Sequence, residues 1–477
     1  MLFKDFSIMG CLYWVYLVVA ISVMVKVVLK NRSTVNTLAW MLVFIFLPFL
    51  GLLLYFFFGR DTRRAKIISG RLLSQLQQKN GLGANNDTQE EIAHEYIPLR
   101  SFLGNAAMSS LLPASEVKVI NSTKEFATLL CNEIDSAEEH VHLQFYIFED
   151  DEFGCMVSEH LMAKAKQGVE VRVMYDSVGC FSVTKEFFEK MRCAGVYVES
   201  FMKVRFPLLT NKVNYRNHRK VVVIDGKVGF VGGCNIADRY VKGVKNGVWR
   251  DTMLLVRGAA ACGLQTSFLV DWFFANRTFV SGKRYFPKQI SGDNSALVQV
   301  VQSNPVGEIR TVMTGMIKAL SVARSYVYLQ TPYFMPDDVF LQALKATAQS
   351  GVDVRLMIPA QSDSRLAGYA SRSYLAEVMR AGVKVYLYEG GFLHCKTFVS
   401  DDYLSSVGSV NLDFRSFYYN FEVSAFVYGK EVAQRLKDDF AEDAKSCRLL
   451  TLNGFIAERS FIERCKESVA RLFSPLL

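Results

Sequence analysis

The chain has 477 residues, 51% of them hydrophobic and 21% charged, with a net charge of +9. That length admits two or three domains with a substantial core, and the charge suits an anionic partner, nucleic acid or an acidic lipid surface, without choosing between them. Ten cysteines lie scattered from Cys11 to Cys465 with no CxxC and no His/Cys cluster, which argues against a zinc site or a dense disulfide framework and reads as reduced thiols facing a cytosol.

In chain order, the first elements are two apolar runs. Ile8 to Leu29 is almost continuously apolar, with Lys26 near its end, and Thr37 to Phe58 carries no charge. Each has 22 residues, about 33 Å of helix at ~1.5 Å per residue, enough to cross a bilayer core. A cleaved signal peptide leaves the second run unexplained. A buried core helix would show polar residues at the 3.6 period. A two-helix transmembrane hairpin is therefore predicted, with a kink at Pro48. Arg60, Arg63, Arg64, Lys66 and Arg71 follow the second run, opposed by Asp61; the connecting loop offers Lys30 and Arg32. The excess predicts a cytoplasmic location for everything after the hairpin.

Gln77 to Glu91 is polar and rich in Asn, Gln and Gly, and reads as a linker. Beyond it the chain repeats itself. HVHLQFYIFEDDEFG, from His140, parallels YVYLQTPYFMPDDVF, from Tyr326. Each predicts strand, acidic loop, amphipathic helix, glycine (Gly168, Gly351) and a further strand. AGVYV from Ala194 parallels AGVKV from Ala381. Leu264, Phe268 and Trp272, at i, i+4 and i+8, predict a core-packed helix closing the first half. Lys283 to Asn294 reads as the boundary. The expected organisation is a hairpin over 1–60, a basic juxtamembrane segment and linker over 61–112, and two α/β halves over 113–285 and 286–477, an internal duplication that would set two motifs face to face.

Those motifs are NHRKVVVIDGKVGFVGGCN, from Asn217, and HCKTFVSDDYLSSVGSVN, from His394. Side chains alternate along a strand, so His218 and Lys220 share a face, as do His394 and Lys396. Asp225 and Asp401, each seven residues after its histidine, fall on the opposite face. Asp225-Gly226 is a hairpin-turn signal, which favours a turn or scaffold role. Gly232 and Gly408 lie fourteen residues after the histidines, and Asn235 and Asn411 seventeen. The glycines permit close backbone approach, and the amides can donate to phosphate oxygens. One such pair alone would read as a surface histidine beside a solvated lysine. Two copies at matched spacings read as function. His94, His140, His142 and His160 lack such surroundings.

Neutral imidazole is a nucleophile and, near pH 7, a proton donor or acceptor. Paired lysines and asparagines could hold phosphodiester oxygens and stabilise charge building on them. No carboxylate cluster with metal-ligand spacing is present, so neither a metal nor another cofactor is expected.

HRKVVVID with GGCN, and HCKTFVSD with GSVN, resemble the paired HxKxxxxD motifs of the phospholipase D superfamily. With the apolar hairpin, TLAWMLVFIFLPFLGLLLYFFFGR, WRDT and a chain ending in SPLL, nearly the whole chain resembles the bacterial cardiolipin synthases of that superfamily. The resemblance implies two α/β sandwich halves related by a pseudo-twofold axis, metal-independent chemistry, and catalytic sets His218, Lys220, Asp225 and His394, Lys396, Asp401. It implies phosphate contacts from Lys220, Lys396, Asn235 and Asn411. It also implies a histidine-orienting carboxylate after each motif, carried by position to Glu422 in NFEV and Asp251 in WRDT. A strand-end ion pair of Arg250 with Asp251 is the alternative for the latter. The D-G-x-x-A-R motif of the other cardiolipin synthase class is absent. The implied reaction joins two phosphatidylglycerols into cardiolipin and releases glycerol, with His218 as nucleophile, at a bacterial inner membrane and without nucleic acid. Hydrolysis or headgroup exchange on the same machinery, and a catalytically silent membrane scaffold, are the competing readings. Phe201 to Phe206, in extra sequence of the first half, could touch the interface or be a plain hairpin insertion.

Overall fold

The computed structural model describes residues 8–29, 34–47, 49–58, 92–203, 215–244, 247–287, 295–307, 309–475 and 477. The basic segment after the hairpin, the linker at 77–91, Pro48, half of the Phe201–Phe206 stretch and most of Lys283–Asn294 lie outside them. The chain forms two bodies, an N-terminal helical one and a large α/β one.

In the first body, Ile8–Leu29 is one helix of 22 residues. The second apolar run is interrupted where the kink is expected. It forms two helices, Thr34–Phe46 and Leu50–Phe58, with Phe49 between them at φ 65°. The sequence supplies the reason: a proline at 48 has no N–H to give and its ring crowds the preceding turn. Tyr16 ties the first helix to the second by donating to Phe44 O at 3.0 Å. Among the described residues, no helix is long and apolar enough to cross a membrane.

The large body contains two sheets with a repeated plan. The first has seven strands in the order Glu116–Ile120, Met253–Arg257, Val228–Gly232, Val221–Ile224, His140–Phe145, Glu170–Asp176, Tyr197–Phe201. Four antiparallel pairings give way to two parallel ones along this path. In the second sheet Ala296–Ser303, Asn420–Tyr428, Leu404–Gly408, Thr397–Ser400, Tyr326–Gln330, Asp353–Pro359 and Lys384–Tyr388 follow the same order and directions. Cys447–Leu449 extends one edge. The other edge is extended by Leu111–Ala114, a strand that precedes the first half in sequence yet pairs with Ala296–Ser303.

The local signals explain the parallel segments. Asp151 caps helix Glu152–Lys166 by accepting from Gly154 N, and Asp337 caps Asp338–Gln349 by accepting from Phe340 N. These are the acidic loops of the repeat. Gly168 and Gly351, each at φ 91°, turn the chain out of those helices, as a glycine does without steric cost. Alternation along Val221–Ile224 splits its side chains between two cores. Val221 and Val223 join a core with Val399, Val407, Val423 and Ala425 of the second sheet, whereas Val222 and Ile224 face the helices of the first half. Each fully buried valine contributes roughly 1.5–3 kcal/mol. Leu264, Phe268 and Trp272 lie buried on helix Ala261–Asn276, as the stripe predicts. His140 and His142, set aside in the sequence, are wholly buried. Gln265 bridges them, its Oε1 2.9 Å from His140 Nε2 and its Nε2 2.8 Å from His142 Nδ1.

Candidate active site

Two short parallel pairings between the halves build the site. Arg216–Asn217 pairs with Asn420–Phe421 of the second half, and Gly391–Leu393 pairs with Val248–Arg250 of the first. The backbone N–H of His218 donates to Phe421 O at 2.9 Å, and that of His394 to Arg250 O at 2.7 Å. Each histidine therefore stands one residue past its paired stretch, and directly across from it, one residue past the paired stretch of the partner, stands a carboxylate.

The result is an exchange between halves. His218 Nδ1 lies 3.1 and 3.2 Å from the Glu422 oxygens and 3.1 Å from Ser409 O. His394 Nδ1 lies 2.6 Å from Asp251 Oδ2. Both contacts engage Nδ1 and leave Nε2 as the nitrogen for chemistry, the arrangement by which a carboxylate fixes an imidazole's tautomer. Arg250 does not pair with the Asp251 carboxylate. Its Nε bonds Asp443 at 2.9 Å and its Nη1 donates to the Asp251 backbone oxygen at 2.6 Å. Glu422 is further held by Ser409 Oγ at 2.5 Å and Asn420 Nδ2 at 3.1 Å.

Burial, and then the neighbouring lysine, pushes His394 down to about 3. His218 is also lowered, first by burial, against the pull of Glu422. Burial would raise both carboxylates, but the histidines and lysines bring Asp251 and Glu422 below their ordinary range. Lys220 falls to about 7 and Lys396 is lowered too, burial leading in each. The free site thus holds neutral imidazoles against ionised carboxylates, with ammonium groups made costly by desolvation.

The lysines reach back along their own strands: Lys220 Nζ donates to His218 O at 2.6 Å and Lys396 Nζ to His394 O at 2.5 Å. Asn235 accepts from Ile147 N at 3.1 Å and donates to Tyr240 Oη at 2.5 Å. Asn411 Oδ1 is buried with no hydrogen-bond partner among the described residues. The aspartates of the motifs, which the resemblance groups with the catalytic residues, sit in turns, as the Asp-Gly hairpin signal predicts. Asp225 and Asp401 have φ 52°. Asp225 accepts from the N–H groups of Glu138, Glu139 and His140, at 2.8–2.9 Å, and Asp401 from those of Arg324, Ser325 and Tyr326, at 2.8–3.0 Å. Each carboxylate satisfies three amides at the entry to the strand His140–Phe145 or Tyr326–Gln330. Gly232 and Gly408 likewise serve packing. A Cβ there would stand 2.3 Å from Thr252 O or 2.2 Å from Val423 O, against the strands that carry the carboxylates.

His218, His394, Asn235 and Asn411 line one cavity of about 340 Å³. Its wall also holds residues the sequence reading missed, among them Tyr146, Tyr240, Trp249, Arg216, Arg239 and Arg415. Tyr146 sits edge-on to His218 with ring centroids 5.2 Å apart, and Trp249 lies 5.1 Å from His394. The repeat signalled some of these. Tyr146 falls in the acidic-loop stretch after the first strand, and Arg415 sits between GSVN and NFE. Neither has a motif of its own.

The repeated sheet order and two HxK stretches meeting at one cavity are those of a PLD-like protein in two halves. A family model described as "Cardiolipin synthase, PLD-like domain" matches residues 130–257 and 316–444, and one described as "Phospholipase_D-nuclease N-terminal" matches 15–60. The chain belongs to the cardiolipin synthase family. It is 39% identical over 455 residues to "Cardiolipin synthase 2" of Bacillus cereus, covering 94% of this chain and 88% of that one. It is 38% identical over 470 residues to "Cardiolipin synthase" of Listeria monocytogenes, covering 95% and 96%. The crystal structure of a phosphatidylserine synthase from Haemophilus influenzae aligns with a TM-score of 0.63 at 13% identity, over 81% of this chain and all of that one, a likeness of fold.

Proposed function

We propose that the protein transfers the phosphatidyl group of one phosphatidylglycerol to the terminal hydroxyl of a second, making cardiolipin and releasing glycerol. The observation that supports this reading is that two histidines, each backed by a carboxylate of the opposite half, line one cavity. In the first step His218 Nε2 attacks phosphorus. The N–P bond forms, the bond from phosphorus to the glycerol oxygen breaks, and His394 gives that oxygen a proton. In the second step His394 takes the proton of the second lipid's hydroxyl, the freed oxygen attacks phosphorus, and the N–P bond breaks. Neutral His218 is ready as a nucleophile. His394 must gain a proton, and an arriving phosphodiester anion beside the ring, with Asp251 behind it, favours that charge. Lys220, Lys396, Asn235 and Asn411 counter the phosphoryl oxygens.

The N-terminal hairpin, in this reading, anchors the two halves, 113–285 and 286–477, on the cytoplasmic face of a bacterial inner membrane. The last helix, Phe461–Leu472, supports a lipid-facing setting. It docks through Glu467 and Ala470 while Phe461, Ile462, Val469, Leu472 and the following Phe473 stay exposed, the pattern of an interfacial helix.

The full chain in phosphatidylglycerol vesicles, with lipid products separated, tests the reading. Cardiolipin with one glycerol released per molecule is expected. Phosphatidic acid as the main product means hydrolysis, and no turnover, with His218→Ala equally inert, means a scaffold. Acid-quenched protein should carry label on the His218 peptide; label on the His394 peptide reverses the two roles.

A further inference from the structure

Making cardiolipin differs from hydrolysing phosphatidylglycerol in what attacks the intermediate. Water brings no charge. The second lipid brings its own phosphodiester, an anion that stays intact while the hydroxyl beside it reacts, so a transferase needs a second place to hold a phosphate.

Three guanidinium groups line the cavity. Arg216 is 2% exposed and committed to Asp176, Nη1 to Oδ1 at 3.2 Å. Arg239 is committed to Glu149 at 2.8 Å. Arg415 lines the same wall, and among the described residues its side chain makes no hydrogen bond or ion pair. It rides on the short helix Phe414–Tyr418, fixed by Asp413, whose Oδ1 accepts from Ser416 N at 2.6 Å. The Arg415 charge is felt at the Tyr146 hydroxyl, and the Tyr146 ring packs on His218. A half-buried guanidinium in the wall of the histidine-lined cavity, unpaired among the described residues, is suited to bidentate capture of a phosphodiester.

We propose that Arg415 anchors the phosphate of the accepting phospholipid and so steers the intermediate toward a lipid alcohol and away from water. This rests on the transfer reading above. The test compares two reactions of the full chain that share the first step. One is cardiolipin formation, whose acceptor carries a phosphate. The other is exchange of labelled free glycerol into phosphatidylglycerol, whose acceptor carries none.

Arg415→Gln should lower the ratio of cardiolipin to exchange by about 10- to 100-fold, the range of a lost charge-assisted contact, and raise the share of phosphatidic acid. Arg415→Lys, which keeps the charge without the fork, should fall between. Equal loss of both reactions, in Gln or in Lys, overturns the proposal and makes Arg415 structural or donor-binding. An unchanged ratio overturns it too. If the wild-type chain performs neither reaction, the transfer reading itself has failed.

Discussion

Asp251→Asn isolates what a carboxylate lent by the first half does for a histidine of the second. The contact is short, 2.6 Å from Oδ2 to His394 Nδ1, with both groups buried. The substitution keeps size and removes charge. Two effects add. The imidazolium that His394 must form loses a charge-assisted hydrogen bond, worth about 1.5–3 kcal/mol. The amide N–H can also donate to Nδ1 and hold the ring in the tautomer with its proton on Nε2, useless to a group that must accept there in the second step. Together these predict a fall in turnover of about 10²- to 10⁴-fold, or about 3–5 kcal/mol at 1.36 kcal/mol per decade. The assay is initial glycerol release from phosphatidylglycerol vesicles by the full chain, with thermal unfolding followed in parallel. Because the two residues act as a unit, Asp251→Asn added to His394→Ala should cost almost nothing more. Turnover within tenfold of wild type at unchanged stability would refute the exchange of carboxylates between halves as a catalytic device. Full additivity in the double variant would refute it equally.

Three further outcomes follow from the same geometry. Gly233→Ala sets a Cβ 2.2 Å from Asp251 Oδ1 and should cut activity tenfold or more, whereas Gly168→Ala, with open space around it but φ 91°, should cost about 1 kcal/mol of stability and leave turnover intact; equal activity loss in both would discount the steric argument. Arg219 and Asp271 form a buried pair at 2.5 Å directly behind the His218 strand, so Asp271→Ala should destabilise the fold by about 3–5 kcal/mol, read as a shifted denaturation midpoint. His142 is lowered to about 3 by burial, so below its ordinary 6.5 the unfolded chain binds a proton that the folded chain refuses. Stability therefore rises with pH between about 3 and 6.5 and is complete above that window. His142→Phe, stacking on Phe268, should flatten that rise, which at its limit is on the order of 5 kcal/mol; an unchanged slope between pH 4 and 7 counts against it.

Much of this was legible before any coordinates. The parallel of His140 and Tyr326 with their acidic loops and glycines foretold two sheets of one plan, because capping and turn chemistry are local. The matched spacings around His218 and His394, in corresponding places of the duplicated unit, foretold one shared site. What stayed hidden depends on which distant strands pair. Nothing in NFEV or WRDT says that Phe421 and Arg250 accept the backbone N–H groups of the opposite half's histidines, and so nothing assigns Glu422 to His218 or Asp251 to His394. The aspartates illustrate the converse. Alternation along the strand already put Asp225 and Asp401 on the far face, and the motif's reputation pulled them toward the site. In the second apolar run hydropathy is unbroken, and its single proline is the one local signal of the interruption between its two helices.

The strand Leu111–Ala114 carries a consequence for engineering. It comes before the first half in sequence and completes the edge of the second sheet, and each half also supplies the carboxylate behind the other's histidine. A gene cut between residues 285 and 296 would yield two fragments, neither owning a complete acid–base pair, and the second lacking an edge strand. Co-expressed fragments must reassemble to work at all. Two full-length chains, one altered at 218 and one at 394, have no means of rescuing each other short of trading entire halves.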